Sequence, residues 1–532
     1  MMNTRLLIGE NFVPGDGAPE DILNPATGEV IAQVPEASSA QVAEATAAAH
    51  RAFPGWSRTV PRDRAALLLK LADAIEGRAA DLARLEATNT GKPYAAALGD
   101  ELPAIADVFR FFAGAARCMT GAVAGEYMPG MTSLIRRDPL GVVASIAPWN
   151  YPLMMAAWKL GPAIAAGNTV VLKPSEQTPL TTLALAEIAA KILPPGVVNV
   201  ITGRGPTVGA ALVRQPQVRM ASLTGSVASG QRVLEGAAES LIRTHLELGG
   251  KAPVIVFDDA DLEAVVAGLR AFSFYNAGQD CTAACRIYAG ERIYDRLVAD
   301  LSSAASSLKL GAQDDEGVEM GPLITAAHRD RVKGFVDRAA ALGHVEVTAG
   351  GRARAGAGFF YEPTVIAGVR PGMRIMREEI FGPVVPVVEV TSEEEAIQLA
   401  NDSEFGLGAS VWTLDRARGR QIARRIEAGM VWLNDHMYSH GACSCAWGGV
   451  KQSGIGRSHS KLGFLECVNP KLVTWEPSRT RNFWWHPYDA SLREAMHASA
   501  QLLYGRDDDK RGALRRGLGP LLKVGARTLS RR

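Results

Sequence analysis

The chain has 532 residues, 47% of them hydrophobic and 21% charged, with a formal net charge of +1 at pH 7. That length predicts two or more domains with ample core, and so small a charge excludes a global electrostatic case for nucleic acid or membrane. Six cysteines in so long a chain argue against a disulfide framework, and a reducing, cytoplasmic compartment is expected.

The first ten residues carry too short an apolar run for a signal peptide. Residues 5–36 read as short strands and turns, with Asn24-Pro25-Ala26-Thr27-Gly28-Glu29 as turn chemistry. From 39 to about 116, Ala- and Leu-rich amphipathic runs predict helices, among them 62–76. Residues 125–139 alternate and turn like a hairpin. The longest uncharged apolar stretch, 140–158, contains Pro148, Asn150 and Pro152 and ends at Lys159, so a buried strand, turn and helix is predicted rather than a membrane span.

The next strand, 169–172, runs into Lys173-Pro174-Ser175-Glu176. A Lys and a carboxylate at the carboxyl end of a parallel strand sit where such sheets bind ligands. The strand 197–201 leads into Thr202-Gly203-Arg204-Gly205-Pro206-Thr207-Val208-Gly209, which is not the GxGxxG fingerprint because position 208 is Val. The strand 220–223 precedes Thr224-Gly225-Ser226, where N–H groups at a helix start make a seat for a pyrophosphate. A strand ending at Glu247 closes this half, and a second α/β lobe follows to about 447. Near the end come a strand at about 470–475, the aromatic and basic run 479–488, a helix over 490–504 and a basic end expected to be disordered. From Pro477 onward there are 12 Lys and Arg against 5 Asp and Glu, or +7, which leaves −6 for the rest.

Two reactive side chains stand out. Glu247 opens Glu247-Leu248-Gly249-Gly250-Lys251, and 34 positions later Cys281 closes Gly278-Gln279-Asp280-Cys281. A thiol at its free pKa of about 8.5 is a weak nucleophile at pH 7, and a carboxylate within one water of it could generate the thiolate and later activate a hydrolytic water. Taken singly, a Glu is more often a solvated charge and a Cys a small buried hydrophobe. No His stands at finger-like spacing beside Cys281/Cys285 or Cys443/Cys445, so no metal is expected.

Together these motifs resemble the aldehyde dehydrogenase superfamily over nearly all of residues 5–476. The resemblance implies an α/β fold: a Rossmann-type cofactor domain (1–124 and 142–247, with 448–468 returning to it), a catalytic domain (248–447) and a small β oligomerisation element (125–141 and 469–478), followed by the extension 479–532. It implies Cys281 as nucleophile and Glu247 as base, with Asn150 and the Cys281 N–H holding the oxyanion. Lys173, Ser175 and Glu176 would grip the adenosine ribose. Ile146, Trp149, Gly205, Gly209, Thr224, Gly225, Ser226, Leu248 and Gly249 would line the cofactor, and Glu379 and Phe381 the nicotinamide end. Glu176 favours NAD over NADP, because it would repel a 2′-phosphate. A homodimer or homotetramer is expected, with no nucleic acid partner, and membrane contact through the basic tail is open but not expected. Two positions depart from the family pattern: Ala446-Trp447 replaces Pro-Phe or Pro-Trp, and Ser458 stands where Glu is usual.

Several segments look most like γ-aminobutyraldehyde dehydrogenases. A cationic aminoaldehyde wants aromatic faces and a carboxylate at the pocket mouth. Tyr151, Met155 and Trp158 on one helix face, with Trp447, could form that box, and Glu101 and Asp107 are the candidate carboxylates. An aliphatic, aromatic or semialdehyde substrate stays open. A non-catalytic binding protein on this fold is disfavoured by the joint presence of Cys281, Glu247, Asn150, Lys173 and Glu379.

Overall fold

A computed structural model describes residues 2–119, 122–128, 131–437, 441–476, 485 and 487–529. Val142–Ile146, Thr169–Lys173 and Val198–Val200 are buried at every position. Burial at every position suits parallel strands covered on both faces. They form a parallel array in the order Val198–Val200, Thr169–Lys173, Val142–Ile146, Val218–Thr224, Arg243–Glu247. The antiparallel pair Leu6–Ile8 and Asn11–Val13 closes one edge and Gly454–Ile455 the other. Numbered along the chain, the parallel order is 3-2-1-4-5. The winding therefore reverses between Val142–Ile146 and Val218–Thr224, and a ligand crevice is expected beyond their carboxyl ends.

Pro152–Ala165 covers this sheet and is buried along its whole length. Pro152 sits in the first turn, where its missing N–H would have no helical partner anyway. Against it packs Leu102–Arg117, whose buried Ile105, Phe109 and Phe112 follow the helical three-and-four spacing. Each fully buried Phe contributes about 1.5–3 kcal/mol of apolar burial. The two helices come close enough that a Cβ on Gly161 would stand 2.9 Å from Val108 Cγ1.

The second sheet runs Glu346–Ala349, Thr364–Ala367, Val384–Val390, Arg286–Gly290, Pro253–Val256, Gly408–Trp412, Met430–Leu433, parallel except for its first strand. Both sheets belong to one compact unit, Met1–Met119 with Pro139–Asn469.

Thr120–Asp138 and Pro470–Arg532 form a second unit. Its strands join a three-stranded sheet in the order Val468–Trp475, Met131–Pro139, Ala122–Met128. Two helices, Ala490–Tyr504 and Asp507–Leu529, pack around Leu492, Ala495 and Val524. The basic end expected to be disordered is thus a 23-residue helix over most of its length. Asp507, Asp508 and Asp509 suit the positive end of its dipole, and its small residues pack on the preceding helix. Of the aromatic, basic run, residues 479–484 and 486 lie outside the described residues, as do 129 and 130 at the hairpin turn.

Candidate active site

Cys281 stands on the loop that enters Arg286–Gly290, just after the short turn Tyr275–Gly278. Asn276, Ala277 and Gly278 all have left-handed backbones, with φ of 50°, 56° and 68°. The first two are strained for side-chain-bearing residues and must be held by their surroundings. Asn276 Nδ2 donates to Asn150 O at 3.0 Å and to Gln279 O at 3.2 Å, and Asn150 Nδ2 donates to Gln279 O at 3.1 Å. Tyr151 Oη donates to Asp280 at 2.7 Å, and Asp280 accepts the Thr282 N–H at 2.6 Å. Gly278 is required by space as well as by φ, since a Cβ there would lie 2.3 Å from Gly382 O.

The loop after Arg243–Glu247 packs directly on this one. A Cβ on Gly250 would lie 2.1 Å from Cys281 O, and one on Gly249 would lie 2.5 Å from Glu379 Oε2. Gly250 N–H donates to Glu379 Oε1 at 2.9 Å. The helix Ala326–Ala340 clamps the Glu379 segment from outside: Arg331 donates to Glu379 O at 2.6 Å, and His328 Nε2 meets Phe381 O at 2.6 Å. Phe381 has φ 60° and meets Trp149 edge-on at 5.2 Å.

A cavity of about 300 Å³ collects Cys281, Glu247 and Asn150. Leu248, Gly249, Glu379 and Phe381 line it too, with Tyr151, Met155, Trp158 and Trp447. A second cavity of about 320 Å³ lies at the switch point of the first sheet. Ile146, Lys173, Ser175, Glu176, Gly205 and Gly209 line it. Trp149, Thr224, Gly225 and Ser226 line both, so the two adjoin. Ser226 caps Val227–Ala238, accepting Ser229 N–H at 3.2 Å, and the helix start opens on the second cavity. A Cβ on Gly205 would meet nothing within 4 Å, so no side chain fills that wall. Lys173 is buried and donates to Pro174 O and Gly203 O at 2.7 and 2.8 Å, with Glu176 at 3.7 Å. A crevice with a free helix start and an open glycine wall fits an extended dinucleotide.

The electrostatics around the thiol are unfavourable to its anion. Burial, then Asp280, Glu247 and Glu379, push the Cys281 thiol well up. Burial pushes the Glu379 carboxyl up to about 7. Burial also opposes ionisation of Glu247, yet His245, Lys159 and the hydrogen bond from Thr224 outweigh it and hold this carboxyl below the usual range. His245 is itself pushed down to about 4 by burial and is neutral at pH 7. The supporting cation is therefore Lys159, which burial lowers to about 8. Lys159 Nζ donates to Ser222 Oγ at 3.2 Å, Ser222 Oγ meets His245 Nδ1 at 3.1 Å, and His245 Nε2 meets Ser458 Oγ at 3.3 Å. The Ser at 458 thus joins a hydrogen-bonded chain that a Glu would have charged. Glu247 Oε2 accepts from Thr224 Oγ1 at 3.0 Å, while Oε1 has no hydrogen-bond partner among the described residues.

Two expected pocket residues stand elsewhere. Glu101 is buried against Lys92, whose Nζ reaches its two oxygens at 2.7 and 2.9 Å, and it does not line the cavity. Lys92 also donates to Asn150 O at 3.1 Å and lies 4.4 Å from the centre of the Tyr151 ring. The charge proposed for a substrate ammonium is already matched by a lysine. Asp107 is exposed and also off the cavity. Sequence reading missed Lys92, His328, Arg331 and Leu407, because nothing local marks a residue that reaches the site from another element. Among the described residues no group of three His, Cys, Asp or Glu is arranged to hold a metal.

The sequence profile described as "Aldehyde dehydrogenase family" matches residues 12–473. A betaine aldehyde dehydrogenase of Cereibacter sphaeroides is 42% identical over 460 residues, covering 86% of this chain and 94% of that protein. A crystal structure of a betaine aldehyde dehydrogenase point mutant from Staphylococcus aureus, in complex with NAD+, superposes with a TM-score of 0.88 at 37% identity, covering 92% of this chain and all of that one. An NAD+ complex of an aldehyde dehydrogenase from Bacillus cereus superposes with a TM-score of 0.87 at 38% identity, covering 89% of this chain and 97% of that one.

Proposed function

Because the chain belongs to the aldehyde dehydrogenase family and is an oxidoreductase of the aldehyde group, we propose that its substrate is an aldehyde carrying a cationic nitrogen, an aminoaldehyde such as γ-aminobutyraldehyde or a betaine aldehyde, oxidised with NAD in preference to NADP. The observation that carries this reading is the pair Trp158 and Trp447 on the cavity that holds Cys281. Trp158 and Trp447 meet edge-on at 5.4 Å, and aromatic faces attract an alkylammonium or a quaternary ammonium without a carboxylate. Glu101 and Asp107 take no part in this recognition, since neither lines the cavity. The Cereibacter relative, named for betaine aldehyde, supports it. Glu176 on the second cavity supports NAD. Arg214 there could favour a 2′-phosphate, but it is held by Glu239 at 2.9 Å.

Cys281 Sγ adds to the carbonyl carbon as its proton passes through water to Glu247. Asn150 Nδ2 and the Cys281 N–H hold the oxyanion. A nicotinamide held there would supply the hydride acceptor that takes the carbon on Cys281 to the thioester level. Glu247 gives up the thiol proton to solvent, then takes a proton from the water that attacks the thioester, and the Cys281 sulfur departs and is reprotonated as the acid is released. Ile146, Lys173, Ser175, Glu176 and Ser226 would hold the cofactor, with Glu379 and Phe381 at its nicotinamide end.

The test is NADH formation by the purified protein with γ-aminobutyraldehyde, betaine aldehyde, succinic semialdehyde, hexanal and benzaldehyde, with NADP in parallel and Cys281→Ala as control. The expected outcome is a higher kcat/KM for the two cationic aldehydes, with NAD preferred and no activity in the control. Preference for hexanal or benzaldehyde would sink the cationic reading and leave the dehydrogenase standing.

A further inference from the structure

Asp507–Leu529 has two unlike apolar faces. Ala513, Gly517 and Val524 are buried, and Gly517 lies so close to the preceding helix that a Cβ there would stand 2.2 Å from the Cβ of Ala498. Roughly a third of a turn away, by helix geometry, Leu514, Leu518, Leu522 and Leu529 follow one another at intervals of four, four and seven, a single row along the helix. Each is at least half exposed, at 50%, 53%, 66% and 74%. Arg511 and Arg515 flank the row, and Arg516 and Lys523 stand beyond it, all exposed. Single exposed leucines are ordinary on a protein surface, but a row of four edged by arginine is not.

We propose that this row is a docking surface for an anionic lipid bilayer. The helix lies in the membrane plane, with its leucines at the acyl boundary and its cations among the headgroups. A second copy of the chain is a poorer occupant, because arginines on both copies would face each other. A protein partner would have to bring a groove matched to the leucines, whereas a bilayer accepts any such row and supplies the negative charge. No helix among the described residues is long and apolar enough to cross a membrane, so the contact is peripheral. Asp507, Asp508 and Asp509 oppose the attraction at the first turn, where Asp507 pairs with Lys510 at 2.9 Å.

The test is co-sedimentation of the full-length protein with phosphatidylcholine vesicles and with vesicles that also contain phosphatidylglycerol. The protein should pellet with the anionic vesicles, and less so as salt is added. Arg511→Gln with Arg515→Gln should lower the partition about fivefold for each charge removed. Leu518→Glu with Leu522→Glu should abolish it. Because the helices have a core of their own, a wild-type far-ultraviolet circular dichroism spectrum and melting profile serve as the check that the variants are folded. Failure of the wild-type protein to pellet with anionic vesicles would overturn the proposal, as would an unchanged partition in both double variants. Loss of oligomer mass in the leucine variant, with no vesicle binding by the wild type, would overturn it and assign the row to a second copy.

Discussion

Glu247 has two unlike oxygens, one held by Thr224 and one without a hydrogen-bond partner among the described residues. Glu247→Gln keeps the shape and removes the base. The expected result is a kcat about 10²–10⁴-fold lower, with the burst of NADH slowed as well as the steady rate, because Glu247 takes the thiol proton as well as a proton of the releasing water. Pre-steady-state absorbance checks it, and an undiminished steady rate would count against Glu247 as hydrolytic base. His436 lies one residue chain further out: its Nε2 meets Thr282 O at 2.6 Å and its Nδ1 meets Ser410 Oγ at 2.9 Å. Burial lowers it to about 4 from the ordinary 6.5. The unfolded chain therefore binds the extra proton first, and the stability His436 confers at neutral pH is lost as pH falls from about 6.5 toward 4, by at most about 1.4 kcal/mol per pH unit. The difference in unfolding free energy between wild type and His436→Gln should shrink across that window. A difference independent of pH would refute the assignment.

At the scale of elements, the site exists where the loop after Arg243–Glu247 touches the loop before Arg286–Gly290. Gly250 is the contact, and its lack of a side chain is what lets Cys281 O approach. Gly250→Ala must displace the Cys281 loop, and we expect activity to fall by more than about tenfold, even though the change is a single methyl group of the kind that costs 1–3 kcal/mol when overpacked. Kinetics alongside thermal unfolding would check this, and full activity in a stable variant would show that the contact is not required. The glycines and the Cys were legible as a motif, and so were the strand Val142–Ile146 and the helix Pro152–Ala165, because hydrophobic runs and turn prolines are local signals. The clamp from Ala326–Ala340 was not, since Arg331 and His328 act on backbone carbonyls 48 and 53 positions away.

At the scale of the whole molecule, every residue lining the two cavities belongs to the unit Met1–Met119 with Pro139–Asn469, while the C-terminal helices have a core of their own. A chain ending at Tyr488 should therefore retain NADH production with the wild-type KM for its aldehyde. Light scattering on the same sample would report whether these helices contribute to assembly. A truncated chain that folds but has lost turnover would show that the helices support the site.

The sequence by itself determined the chemistry available and the class of fold. Glu247, Asn150 and Cys281 lie in motifs a few residues long, and the period of apolar runs depends only on backbone geometry. What only the tertiary structure decided is which charges are already matched and which faces are covered. Glu101 looked available until Lys92 was found on both its oxygens, and the end of the chain looked disordered until its small residues were found packed on the helix before it. The physical reason is the same in both cases. A buried ion pair or a helix–helix seam draws its stability from partners brought together by the fold, and local sequence does not mark which partner arrives.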